Sequence, residues 1–159
     1  MSAFLIYDRA PLGALIRYSD GTPQPPARFT RKLAAWKRNN GLGRLIQKTP
    51  QRLLGNNHVL PASFTLHEGD FSSRGVVLIT VQRTYSVDSE LRFEVAERPA
   101  IGMIRVLQTF RDNVELLHLA EDREAAELWV AKTGHSETRF EAVTTDELCA
   151  DVVEGRAAA

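Results

Sequence analysis

Cysteine is almost absent from this chain. Cys149 is the only one in 159 residues, so no disulfide can form within it, and a reducing, cytoplasmic setting is expected. Long apolar runs are absent too: nothing approaches the ~20 residues that span a bilayer. The opening MSAFLIYDRAPLG lacks a basic n-region, and its apolar run is only four residues long, so no secretory leader is expected. Catalytic signatures are likewise missing. The chain has no G-x-S-x-G, H-E-x-x-H, C-x-x-C or EF-hand pattern, and no zinc-finger spacing, RNP-like aromatic run or GXXG clamp. Gly41-Leu-Gly43-Arg44 lacks a third glycine and follows a helical pattern instead of a strand, which excludes a dinucleotide fingerprint. No cofactor is expected.

Acidic residues are missing from one long stretch. Between Asp20 and Glu68 there is no Asp or Glu, although the whole chain balances 20 Lys/Arg against 20 Asp/Glu. Residues 1–60 carry ten Lys/Arg against Asp8 and Asp20 alone, and residues 61–159 carry ten against eighteen acids. Such asymmetry points to an anionic partner, or to pairing of the basic and acidic parts within one chain or between copies as a homo-oligomer.

A composition of 43% hydrophobic and 25% charged residues fits one globular domain over 1–159, burying about 70% of its unfolded surface. The pattern predicts an α+β fold: three helices, an antiparallel sheet of six to eight strands, and a C-terminal β-α-β-α unit. Ala3–Tyr7 and Ala14–Tyr18 read as strands around the APLG turn. A helix is expected from about Pro25 to Asn39, with Phe29, Leu33 and Trp36 buried on one face and Asn40-Gly41 as a left-handed cap. Leu42–Gln47 reads as a strand. Residues 48–61 read as a long polar loop with one helical turn at Pro50–Leu54.

Beyond the loop, Ala62–His67 alternates, and Gly75–Arg83 is apolar on both faces, as a central buried strand should be. Glu90–Ala96, Ile101–Phe110 and Val114–Ala120 complete a meander. A helix follows at Glu121–Thr133, with Ala125, Leu128 and Trp129 as its core stripe and Gly134 at its end. Thr138–Val143 is a strand that can lie parallel to Val114–Ala120. The capping box Thr144-Thr-Asp-Glu147 predicts a last helix to about Glu154, with Cys149 in its core face.

The strongest functional candidate is the basic segment Arg28, Arg31, Lys32, Lys37, Arg38, Arg44, Lys48 and Arg52. Phosphate recognition needs cations on one exposed face, and five of these eight are arginine, whose planar fork matches phosphate oxygens. The leading expectation is a non-enzymatic binding protein for DNA or RNA. The alternative is a protein-interaction or inhibitor module, of the kind mobile genetic elements carry, whose basic patch meets an acidic protein surface. A third reading, a metal-dependent phosphodiesterase-like enzyme over 67–74, would use His67, Glu68 and Asp70. Adjacent strand residues diverge, so no metal is expected there.

Overall fold

In the computed structural model, which describes residues 1–55 and 58–146, Ser2 decides the first element. Its side chain accepts the Leu5 N–H at 3.3 Å and caps a helix, α1 (Ala3–Arg9), where a strand is the expectation. The short AFLIY segment fits either periodicity. Here burial of Ala3, Ile6 and Ala10 at i, i+3 and i+7, with Phe4 left outside, selects the helix.

The elements that follow are β1 (Leu15–Ser19), α2 (Thr30–Asn39), β2 (Gly41–Thr49), β3 (Arg52–Leu54), β4 (His58–Leu60), β5 (Ser63–Ser73), β6 (Val76–Ser86) and β7 (Arg92–Glu97). Beyond them lie β8 (Ile104–Phe110), β9 (Asn113–Ala120), α3 (Arg123–Thr133) and β10 (Thr138–Ala142). The fold is α+β, with three helices and ten strands among the described residues, eight of the strands in one antiparallel sheet and β3 and β4 in a separate pair. It divides at Arg98–Pro99 into two compact units. No helix among the described residues is long and apolar enough to cross a membrane. The final helix and Cys149 fall mostly or wholly outside the described residues.

In the first unit the antiparallel order is β7-β1-β2-β5-β6. β1 sits between β2 and β7 because its burial alternates: Ile16 and Tyr18 are buried, while Arg17 is exposed and meets Glu94 across β7 at 3.3 Å. Ile6, Ala14, Ile16, Tyr18, Leu45, Phe64, Leu66 and Phe93 form the core, and Phe64, Tyr85 and Phe93 pack with centroids 5.3–5.9 Å apart. Apolar packing of this kind is the main stabilising term, since fully burying one Leu, Ile or Phe side chain is worth about 1.5–3 kcal/mol.

Several expectations shift here. Helix α2 starts at Thr30, five residues later than its pattern suggests, because a residue before proline is pushed out of the helical region and Pro25 precedes Pro26. Its inner face is only half-buried at Leu33 and Trp36, and Phe29 is exposed. Asn40 is extended (φ −138°), not left-handed. It caps with its side chain instead, donating to the Trp36 carbonyl at 2.9 Å. The helical turn at Pro50–Leu54 is strand β3, paired with β4 through Leu53 and Val59.

Val76–Ile79, expected in a buried central strand, is exposed on β6, which pairs with β5 alone. Two-sided apolarity signals burial only where the sheet continues on both sides, and here it does not.

The second unit runs β10-β8-β9, with α3 against it. β9 and β10 are parallel to each other with β8 between them. Gly134 closes α3 at φ 72°, as its position signals, while the start falls two residues after the expected Glu121 because Asp122 is the cap, accepting the Ala125 N–H at 2.8 Å. Of the expected core stripe, Ala125 and Trp129 pack against the core beside the buried Ala126, with Val130, while Leu128 is exposed. Trp129 stacks between His118 (4.8 Å) and His135 (5.3 Å), and burial lowers the His118 pKa.

A close approach in the first unit gives a test. Tyr18 faces Gly41 across the β1–β2 ladder. A Cβ at Gly41 would lie 2.7 Å from Tyr18 Cζ and nearer still to its hydroxyl. Gly41→Ala should therefore destabilise by about 1–3 kcal/mol through overpacking. In a double-mutant cycle with Tyr18→Phe, read by urea unfolding, the two losses should be less than additive, because removing the hydroxyl relieves the collision.

Candidate anion-binding surface

Helix α2 carries the basic residues on its solvent side because its inner positions are taken by Leu33, Trp36 and, just past its end, Asn40. These recur at i, i+3 and i+7 and set the face toward the sheet. Arg31, Ala35 and Arg38 then fall on the opposite side, with Lys32 and Lys37 flanking them. Arg28, Arg31, Lys32, Lys37 and Arg38 are all exposed. Among the described residues none of the five has a carboxylate within ion-pair distance, whereas other arginines of the chain do. Phe29 is 42% exposed, and Arg28 and Lys32 lie 4.8 and 5.4 Å from its ring centroid. The segment therefore presents an aromatic face flanked by cations.

The other three basic candidates do not join this face. Arg44, on β2, is half-buried and donates to the Gly13 carbonyl at 2.6 Å. Lys48, also half-buried, lies over the Tyr7 ring at 5.8 Å. Burial lowers its pKa, and the nearby Asp8 opposes that shift. Arg52 is exposed on the separate β3–β4 hairpin. The eight basic candidates thus resolve into four cations on α2, with Arg28 just before it, and three with other surroundings.

No apolar anchor is buried on α2, so polar bonds hold it. Trp36 Nε1 donates to the Thr22 carbonyl at 2.9 Å. Asn40 is buried, donates to Asp20 Oδ1 at 3.1 Å and accepts from the Ser19 hydroxyl at 2.7 Å. From the sheet, Arg83 donates to the Arg38 carbonyl and ion-pairs with Glu68 at 3.2 Å. Glu68 also accepts from the Tyr18 hydroxyl. Burial, reinforced by the bond to Glu68, pushes the Tyr18 pKa well above the ordinary phenol range. The Tyr85 hydroxyl is enclosed beside this cluster, and burial raises its pKa too.

This Tyr18–Glu68–Arg83–Tyr85 cluster escapes the sequence reading. Its members are spread from Tyr18 to Tyr85, and an extra residue at Glu68, where β5 and β6 slip register between His67 and Gly69, turns Glu68 inward.

The same slip undoes the 67–70 cluster as a metal centre. His67 Nε2 lies 2.9 Å from Asp70 Oδ1, and Asp70 also accepts from the Thr80 hydroxyl at 2.8 Å. The His67 bond, then that of Thr80, holds the Asp70 carboxyl below the usual range. Glu68 is committed to Tyr18 and Arg83. Among the described residues no three His, Cys, Asp or Glu converge to hold a metal.

The family model described as Uncharacterised conserved protein UCP036055 matches residues 1–147, and the chain belongs to that family. No curated protein and no solved structure matches it.

The latch under α2 has a pH signature. Hydrogen bonds from Thr22, its hydroxyl first, and from Asn40 bring the Asp20 carboxyl down to about 2. A depressed acid stabilises the fold fully above its ordinary pKa and loses that contribution as pH falls through the lowered value. The thermal midpoint, followed by circular dichroism, should therefore fall between pH 4 and 2. Asp20→Asn keeps an acceptor but cannot titrate, so its decline over the same interval should be shallower.

Proposed function

We propose that this family member is a non-enzymatic binding protein of the cytoplasm whose α2 surface engages the phosphates of a nucleic acid. The observation that carries this reading is the set of five exposed cations, Arg28, Arg31, Lys32, Lys37 and Arg38, with no carboxylate partner among the described residues. Internal neutralisation is the alternative use of such charge, and no ion pair among the described residues serves it.

Helix stability does not account for them either. Arg31 and Lys32 lie in the first turn, where the helix dipole disfavours positive charge, and that turn has neither an acid nor a side-chain cap. Only Lys37 and Arg38, in the last turn, benefit from the dipole. Nucleic acid is preferred over an acidic protein surface because Phe29 adds an exposed ring for base stacking beside the cations.

If four to five phosphates are engaged on duplex DNA, log K should fall linearly with log salt with a slope of about −3.5 to −4.5. Reversal of Arg31, Lys32 and Arg38 to Glu should abolish binding in a fluorescence-anisotropy titration. The fold should survive, because exposed substitutions cost about half a kcal/mol or less. A folded triple variant that binds DNA and RNA as tightly as the parent would eliminate this reading. The test of base stacking is Phe29→Ala, which should weaken single-stranded binding by about 1–3 kcal/mol and leave duplex binding nearly unchanged.

A further inference from the structure

The ladder between β2 and β5 ends at Arg44 and His67, but that between β5 and β6 continues to Ser73 and Val76. The remainder, Gly69–Ser73 with Val76–Thr80, is a two-stranded arm turned at Arg74-Gly75, where both residues have positive φ. An isolated two-stranded ribbon is at best marginally stable in water. This one is also apolar in an unusual place. Phe71 is 62% exposed and Leu78 66%, and Val76, Val77 and Ile79 are between 55 and 62%.

We propose that this arm is a self-association element, clasped by the same arm of a second copy of the chain. This rests on observations separate from the nucleic-acid reading. Three features select a second copy.

First, the arm is bulged at its base and within it. Glu68 is extra on β5 where the arm begins, and Leu78 is extra on β6 inside it. Bulges blunt edges against strand addition, so the partner must meet side chains.

Second, the five exposed apolar residues offer about 500 Å² per copy, or about 1,000 Å² for a symmetric pair, which reaches the size of a specific interface. A patch of this size on one chain is at the upper end of what monomers leave uncovered.

Third, the ends of the arm have opposite charge, Asp70 at its base and Arg74 at its tip, with no charge on the residues between them. Two arms crossing antiparallel about a two-fold axis set each Arg74 beside the other copy's Asp70. Such an isologous contact is self-complementary by construction.

Sedimentation equilibrium of the full chain, without nucleic acid, tests this over a dilution series. The parent should be a dimer in the micromolar range. The Val77→Lys/Ile79→Lys variant should be monomeric with an unchanged circular dichroism spectrum, because both side chains lie outside the core. Arg74→Glu should weaken dimerisation about tenfold, the scale of the two exposed ion pairs that the two-fold axis creates, and adding Asp70→Lys to it should restore the affinity. A parent that stays monomeric, a Val77→Lys/Ile79→Lys variant that stays dimeric, or a charge swap no tighter than Arg74→Glu alone would each overturn the proposal.

Discussion

The bond from the Tyr18 hydroxyl to Glu68 is the point on which the first unit turns. Tyr18 is on β1 and Glu68 on β5, so one polar contact joins two strands separated by β2. Glu68 then holds Arg83 on β6, and Arg83 reaches the last turn of α2. A half-shielded carboxylate of this kind stabilises only when its neighbours satisfy it. Room for the arrangement comes from what is missing on β2. A Cβ at Gly43 would come within 2.9 Å of Leu66 Cβ and 3.5 Å of Glu68 Cγ. Sequence to packing is a short chain of causes here: two glycines let a tyrosine lie flat, and its hydroxyl fixes the carboxylate.

Helix α2 follows from that arrangement and contrasts with it. Its attachment is polar and local, and it buries no residue completely, so its opening free energy belongs at the low end of the molecule's range. A weakly attached, strongly charged helix can adjust its side chains to an irregular array of phosphates at little cost. The restraint falls at its C-terminal end, on Trp36, Arg38 and Asn40. Phe29 and the first-turn cations are freer to adapt.

Elements whose ends carry a local chemical signal were legible in the sequence. Gly134 marks the end of α3 because a cap is decided by its own few residues, and the alternation of Leu91, Phe93 and Val95 marks β7 as locally. The exposure of Arg31 and Arg38 also followed from their phase on the helix. What could not be read depends on distant neighbours. AFLIY satisfies both helix and strand, and its burial partners decide between them. Val76–Ile79 has the composition of a covered strand, and only the extent of β2 and β5 shows that the sheet stops short of it. Glu68 and Asp70 look like one cluster in sequence, and a single extra residue in the ladder separates them.

The place of β1 has a consequence for how the chain is made. Leu15–Ser19 is synthesised well before Arg92–Glu97, the last strand of its unit, yet it pairs with that strand on one side. At about 5–20 residues per second, several seconds pass before that partner exists. For that interval Ile16 and Tyr18 belong to a half-formed sheet, and the apolar β6 segment is synthesised before the sheet can close. Vectorial synthesis therefore exposes this fold to misassembly for longer than its modest size implies. The release of β7 from the exit tunnel is the event that ends that exposure.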